Sequence, residues 1–189
     1  MTRLAFVIGS VTPPGRFSAA INAAAQRASE AKHQVTILDL ASLRLDFADG
    51  RPPSDHDDDS GLVIASLRQA EAVLLCSPVY RGSYTGALKN LLDLLPVDTL
   101  QSKPVGIVAM GATQHHYLGV DFHLRDVLAW FGALVAPTSV YLTSADFSDG
   151  RPTQTALASL DDLVATLTTL AAATKGKDLG PPLLAANQT

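Results

Sequence analysis

Ala72-Val73-Leu74-Leu75-Cys76 is an apolar run without alternation, closed by Ser77-Pro78. A run of this length, rich in Val and Leu and apolar on both sides, reads as a strand buried on both faces. Similar runs recur at Leu4–Ile8 and Val105–Met110. Shorter strands are expected at Val35–Leu38 and Val135–Leu142. Between them lie helical patterns at Phe17–Ala31, Gly61–Ala70, Tyr84–Leu95 (stopped by Pro96), Leu118–Phe131 and Thr153–Ala173. Strand and helix alternate throughout, which implies a parallel sheet between two helical layers. Five strands and five helices fit an α/β, flavodoxin-like, doubly wound parallel sheet in the order 2-1-3-4-5. Residues 1–174 form this domain, and 175–189, with the Pro181-Pro182 pair, read as a loose C-terminal extension.

The chain has 189 residues, enough for one sizeable core, with 47% hydrophobic and 17% charged residues. A net charge of -4 and the lack of a Lys/Arg cluster exclude a nucleic-acid binder. Cys76 is the single cysteine, so no internal disulfide forms and a reducing setting is expected. The apolar run after Met1-Thr2-Arg3 is too short for a secretory signal, and no stretch approaches the ~20 apolar residues of a membrane span. A cytoplasmic location without membrane contact follows as the expectation.

In a sheet of this order, ligands sit beyond the carboxyl ends of the strands, where the strand order reverses. Three loops therefore carry the information. The first is Gly9-Ser10-Val11-Thr12-Pro13-Pro14-Gly15-Arg16-Phe17-Ser18. It enters a helix, whose first N–H groups favour an anion. Ser10, Thr12 and Ser18 add hydroxyls, and Arg16 adds a forked cation suited to phosphate. The same residues also suit an ordinary strand-to-helix turn, with Ser18 as helix cap and Arg16 solvated. The loop has neither G-x-G-x-x-G nor a G-K-[ST] ending, which favours a mononucleotide over a dinucleotide or nucleoside triphosphate.

The second loop is Ser77-Pro78-Val79-Tyr80-Arg81-Gly82-Ser83, followed by Tyr84-Thr85-Gly86-Ala87-Leu88-Lys89-Asn90. Pro78 and the small residues suggest an extended backbone whose polar groups reach the edge of a flat ring. Tyr80 offers apolar area, and Gly86 and Ala87 allow close approach at the next helix. Leu88, Leu91, Leu92 and Leu95 are core residues of that helix.

Ser77-Pro78-Val79-Tyr80 followed by Gly86-Ala87-Leu88-Lys89-Asn90-Leu91-Leu92-Asp93 resembles the signature of the NADPH-dependent FMN reductases, over residues 4 to 140. The likeness is greatest to the reductases that serve two-component alkanesulfonate monooxygenases. It implies an oxidoreductase that transfers hydride from NADPH or NADH to FMN and supplies reduced flavin to a flavin-dependent monooxygenase. It also implies that Gly111, Ala112, Thr113 and His116, after the fourth strand, lie at the ring's polar edge. Ala112 replaces a frequent glycine, and Phe122 stands where sulfonate-linked relatives place tyrosine. A homodimer or homotetramer is implied by the same resemblance. Hydride chemistry belongs to the flavin and nicotinamide, so no catalytic acid or base is nominated. Arg81 is assigned to the phosphates of the nicotinamide nucleotide.

Two other readings remain at this point. One is a flavoprotein with fixed FMN that reduces quinones, azo compounds or metal oxyanions. The other is a flavodoxin-type electron carrier, against which the modest charge and the single Trp130 count. No metal is expected: adjacent His115 and His116 rarely face one ion, and Asp55-His56-Asp57-Asp58-Asp59 reads as a solvated loop.

Overall fold

The computed structural model describes residues 1–181. β1 (Arg3–Ile8), β2 (Gln34–Asp39), β3 (Ala72–Pro78), β4 (Pro104–Met110), β5 (Leu134–Val135) and β6 (Val140–Leu142) form one parallel sheet, in the order β2-β1-β3-β4-β5 with β6 also on β4. β5 and β6 are two pieces of the single fifth strand expected at Val135–Leu142. The break falls at Pro137, which has no N–H to give the ladder. There the carbonyls of Ala136 and Pro137 accept from the Arg125 guanidinium. A small antiparallel pair, β7 (Phe147–Ser148) and β8 (Arg151–Pro152), precedes the last helix.

The helices are α1 (Arg16–Glu30), α2 (Ser60–Gln69), α3 (Gly86–Leu94), α4 (Tyr117–Trp130) and α5 (Gln154–Thr174). The period of two in the strands divides the core. On one face Ala5, Val7, Val73, Leu75, Val105 and Ile107 meet α2, α3 and α4 through Leu67, Leu91 and Leu124. On the other, Leu4, Phe6, Ile8, Leu74 and Val108 meet α1 and α5 through Ile21, Leu160 and Leu167. β1, β3 and β4 are therefore buried on both faces, as their unbroken apolar runs require, whereas β2 is an edge strand with several exposed positions.

At the end of α4, Trp130 is 66% exposed while its neighbour Phe131 is buried. Two expectations need correction. α5 is long and apolar enough, by length and composition, to cross a membrane. It lies on the sheet instead, with Leu160, Leu163 and Leu167 buried and Asp161 paired with Arg27. The 55–59 segment is not uniformly solvated, because His56 is buried within it. Of the stretch read as a loose extension, Lys175 pairs with Glu71 at 3.3 Å and Leu179 N–H donates to Ser102 Oγ at 2.9 Å. Residues 182–189 of that stretch lie outside the described residues.

Candidate functional site

The carboxyl ends of β1, β3 and β4 open into a cleft of about 300 Å3. It is lined by Ser10, Thr12, Pro13, Gly15, Arg16, Phe17 and Ser18 from the first loop, Pro78, Val79 and Tyr80 from the second, and Met110, Gly111 and Ala112 from the third. The β1 end is held against its neighbours by close contacts. Gly9 N–H donates to the Cys76 carbonyl at 2.7 Å, and the Thr85 hydroxyl donates to the Gly9 carbonyl. Thr85 also N-caps α3 by accepting from Leu88 N–H. One side chain thus fixes the first loop to the start of α3.

At the first loop, α1 begins at Arg16 with Gly15 as N-cap, and no side chain caps it. The N–H groups of its first turn have no intrahelical partner and make an anion-binding end. Ser18 is in the third helical position, not the cap. Ser10 and Thr12 hydroxyls lie 2.7 Å apart, and Thr12 N–H donates to Ser10 Oγ at 3.3 Å. Arg16 donates to Ser144 Oγ at 3.1 Å, and its guanidinium stacks over Phe147 at 5.6 Å. The cation is therefore anchored at the rim by the segment between β6 and β7, which sequence reading did not connect to the site. Of the ordinary-turn reading, the cap does not hold, since Ser18 lies inside the helix, whereas Arg16 is exposed as that reading expects, though it is hydrogen-bonded to Ser144.

The second loop is not extended. Tyr80 and Ser83 exchange two backbone hydrogen bonds, N–H of each to the carbonyl of the other, at 2.8 and 3.1 Å. The two residues between them, Arg81 and Gly82, have φ of 52° and 77°. Two successive left-handed residues make the tight turn usual between antiparallel strands, and Gly82 takes that conformation without strain. Val79 N–H is spent on the Met110 carbonyl. The loop thus presents Pro78, Val79 and the half-exposed Tyr80 ring as an apolar wall, rather than a row of free N–H groups. Arg81 sits at the tip of this turn and Ser83 at its far side, and neither lines the cleft. Ser83 Oγ instead lies 2.8 Å from His123 Nδ1, tying the turn to α4.

In the third loop, Gly111 and Ala112 line the cleft, while Thr113 and His116 do not. The Thr113 carbonyl accepts from Tyr141 Oη at 2.7 Å, and His116 is the exposed cap of α4. The same tyrosine explains Gly111: a Cβ there would lie 1.9 Å from Tyr141 Oη. Pro13, Gly15, Phe17 and Met110 complete the lining and were missed, although all adjoin residues that were found.

Burial raises the pKa of Cys76, the nearest thiol, to a value at which it stays protonated, so it offers no nucleophile. The cleft has an anion-binding end and an apolar wall, the chemistry of a flat aromatic ligand with a phosphate tail.

Comparison with known proteins agrees. The profile of the family described as "NADPH-dependent FMN reductase" matches residues 2–147. An "NAD(P)H-dependent FAD/FMN reductase" of Geobacillus thermodenitrificans is 38% identical over 115 residues, which span 61% of this chain and 62% of that protein. The matched part is thus under two thirds of that relative's length. An "NADH-dependent FMN reductase SfnF" of Pseudomonas putida is 31% identical over 150 residues, 77% of this chain and 79% of the relative. Among solved structures, an NADH:FMN oxidoreductase (EMOB) in its apo form aligns with a TM-score of 0.77 at 21% identity, covering 99% of this chain and 100% of that one, which speaks to the fold.

Proposed function

The chain belongs to the NADPH-dependent FMN reductase family, and we propose that it transfers hydride from NADPH or NADH to FMN bound in the cleft at the ends of β1, β3 and β4. The observation that carries this reading is the pairing of an uncapped α1 N-terminus, flanked by Ser10, Thr12, Arg16 and Ser18, with an apolar wall of Pro78, Val79 and Tyr80 in one cleft. The donor set fits the group: backbone N–H, hydroxyls and a guanidinium meet the phosphate, and apolar side chains meet the ring.

FMN, when bound, supplies the hydride acceptor. Arg16 and the α1 N-terminus hold the phosphate, which fixes where the ring can lie. Pro78, Val79 and Tyr80 exclude water from one side of the ring, and Gly111 and Ala112 let backbone approach its edge. No side chain has to move a proton.

Residues 1–174 are the unit that does this. Arg81, at the exposed tip of its turn, is free to meet the phosphates of the nicotinamide nucleotide. Reduced FMN passes to a flavin-dependent monooxygenase in the cytoplasm. Tyr117, Leu118, Phe122 and Trp130, apolar or aromatic side chains exposed on α4, support a homo-oligomer.

The test is NADPH and NADH oxidation by purified protein, with and without added FMN, beside the absorption spectrum of the protein as isolated. Colourless protein active only with added FMN is the expected result. Yellow protein reducing quinones without added FMN would make the flavin a fixed cofactor. No oxidation in either condition would refute the reading.

A further inference from the structure

Residues 41–59 join β2 to α2 and are held by their own hydrogen bonds. Asp46 N–H donates to Asp58 Oδ2 at 2.7 Å, and Arg44 N–H to Asp59 Oδ2 at 2.8 Å. Asn90 of α3 clamps the segment on both sides of Phe47, donating to the Asp46 carbonyl and accepting from Ala48 N–H, each at 2.9 Å. Inside this frame sits His56, whose side chain is 0% exposed. Neither of its ring nitrogens has a hydrogen-bond partner. The nearest carboxylates stand too far for hydrogen bonds: Asp46 Oδ2 is 3.9 Å from Nδ1 and Asp49 Oδ1 is 3.7 Å from Nε2. Buried polar groups are normally paired, because an unpaired one costs about 1–3 kcal/mol.

We propose that Asp46, His56 and Asp58, none of which lines the flavin cleft, form a binding site for one borderline divalent cation such as Zn2+. Their ligand atoms lie within 4.8 Å of one another. Ligands around a tetrahedral ion with bonds of about 2.0–2.1 Å stand roughly 3.4 Å apart, so small side-chain rotations close the set. One imidazole and two carboxylates suit Zn2+, Mn2+ or Co2+, whereas Ca2+ prefers a shell of oxygens alone.

The surroundings fit a ligating histidine. With the ion on Nδ1, beside Asp46, the Nε2 lies 3.7 Å from Asp49 Oδ1, a carboxylate of the kind that metal-bound histidines commonly take as partner. Asp49 is itself held by Arg51 Nε at 2.7 Å. Asp58 is held in place by Asp46 N–H on Oδ2 and Ser60 N–H on Oδ1. Three carboxylates against one guanidinium leave an excess negative charge that a divalent cation cancels. The side chain of Asp46 is 45% exposed, which gives the ion a way in and leaves room for water as a fourth ligand. Adjacent His115 and His116 belong to no such group among the described residues.

The consequence is structural. Phe47, 81% exposed, is the residue that the Asn90 clamp brackets, next in sequence to Asp46. With Val11, Leu43, Leu45 and Ala87 it lines an apolar hollow of about 260 Å3. A bound ion fixes that wall.

The test is calorimetric titration of the chelator-treated full chain with ZnCl2, and separately MnCl2, in a non-coordinating buffer. Saturable binding with one ion per chain is expected, with a rise in Tm on Zn2+ addition. Asp46→Asn keeps the side-chain size and the Asp46 backbone bonds. It should weaken binding about tenfold or more and leave the apo Tm unchanged. Three results would overturn the proposal: no saturable binding, equal binding by Asp46→Asn, or loss of binding in a His115→Ala/His116→Ala variant instead. Nitrogen-15 NMR gives an independent check. Zn2+ should shift one His56 ring nitrogen, whereas an imidazolium protonated on both nitrogens and indifferent to Zn2+ would make the ring an ion-pair partner.

Discussion

Gly111 shows how much one residue can decide. It lines the cleft, and a side chain there would run into Tyr141, whose hydroxyl holds the third loop through the Thr113 carbonyl. Gly111→Ala must push the tyrosine ring aside and break that bond. The expected outcome is a lower Tm and FMN affinity reduced several-fold, both read by titration of flavin fluorescence and thermal melting. The double change Gly111→Ala/Tyr141→Leu removes the clash and should recover part of the Tm, a non-additivity that marks direct contact. Equal Tm values for wild type and Gly111→Ala would show that the ring moves at no cost. Little of this was legible in the sequence. The importance of Gly111 followed only from resemblance, and its partner lies 30 residues away on another strand. That Ser10, Thr12 and Arg16 line the cleft was legible, because a polar loop between a buried strand and a helix has a local signature, whereas the lack of a side-chain cap was not. The turn at Arg81-Gly82, which keeps Arg81 and Ser83 out of the cleft lining, was not legible, because the small residues there suggested extended backbone. His56 was misjudged because acidic neighbours suggest solvent, while its burial depends on Asn90 holding the loop from outside.

Among the elements, α3 shows how the site is supported. Its N-cap Thr85 accepts from Leu88 N–H and donates to the Gly9 carbonyl, so the helix start and the first loop share one hydroxyl. Thr85→Val keeps the shape and removes both bonds. A loss of about 1–2 kcal/mol is expected from the cap alone, and urea unfolding would measure it. A loss under a few tenths would mean that water replaces the hydroxyl. The strands were the most legible elements, since β1, β3 and β4 are apolar on both faces and nothing else accounts for such runs. The fifth strand was found as one piece, and its division into β5 and β6 depends on Arg125 holding carbonyls beside Pro137, a contact that strand propensity does not carry.

Over the whole molecule, the two core layers close a single sheet, and its amino-terminal edge is tied by charge. Glu71 accepts from Arg3 N–H at 2.9 Å and pairs with Lys175 at 3.3 Å, linking the start, middle and end of the described chain. The Arg3 N–H, aided by Lys175 and outweighing burial, holds the Glu71 carboxyl below its ordinary 4.5. A carboxyl lowered in the folded state binds fewer protons there than in the unfolded chain, so its contribution is present above pH 4.5 and is lost as pH falls below it. Stability from pH 6 down to about 3 should therefore fall less steeply in Glu71→Gln than in the parent. Parallel slopes in chemical denaturation across that range would remove Glu71 from the account. If FMN meets the nicotinamide nucleotide in the cleft at the strand ends, as proposed, Arg16 is the side chain on which FMN binding should depend. The measurement is the initial rate of NADPH oxidation against FMN concentration, for the parent and for Arg16→Ala side by side. The parent should saturate with FMN. The variant should need about tenfold more FMN, the loss expected of one charge-assisted phosphate contact, with its dependence on NADPH little changed. Superimposable FMN curves, or no FMN-dependent oxidation by the parent, would contradict the proposal.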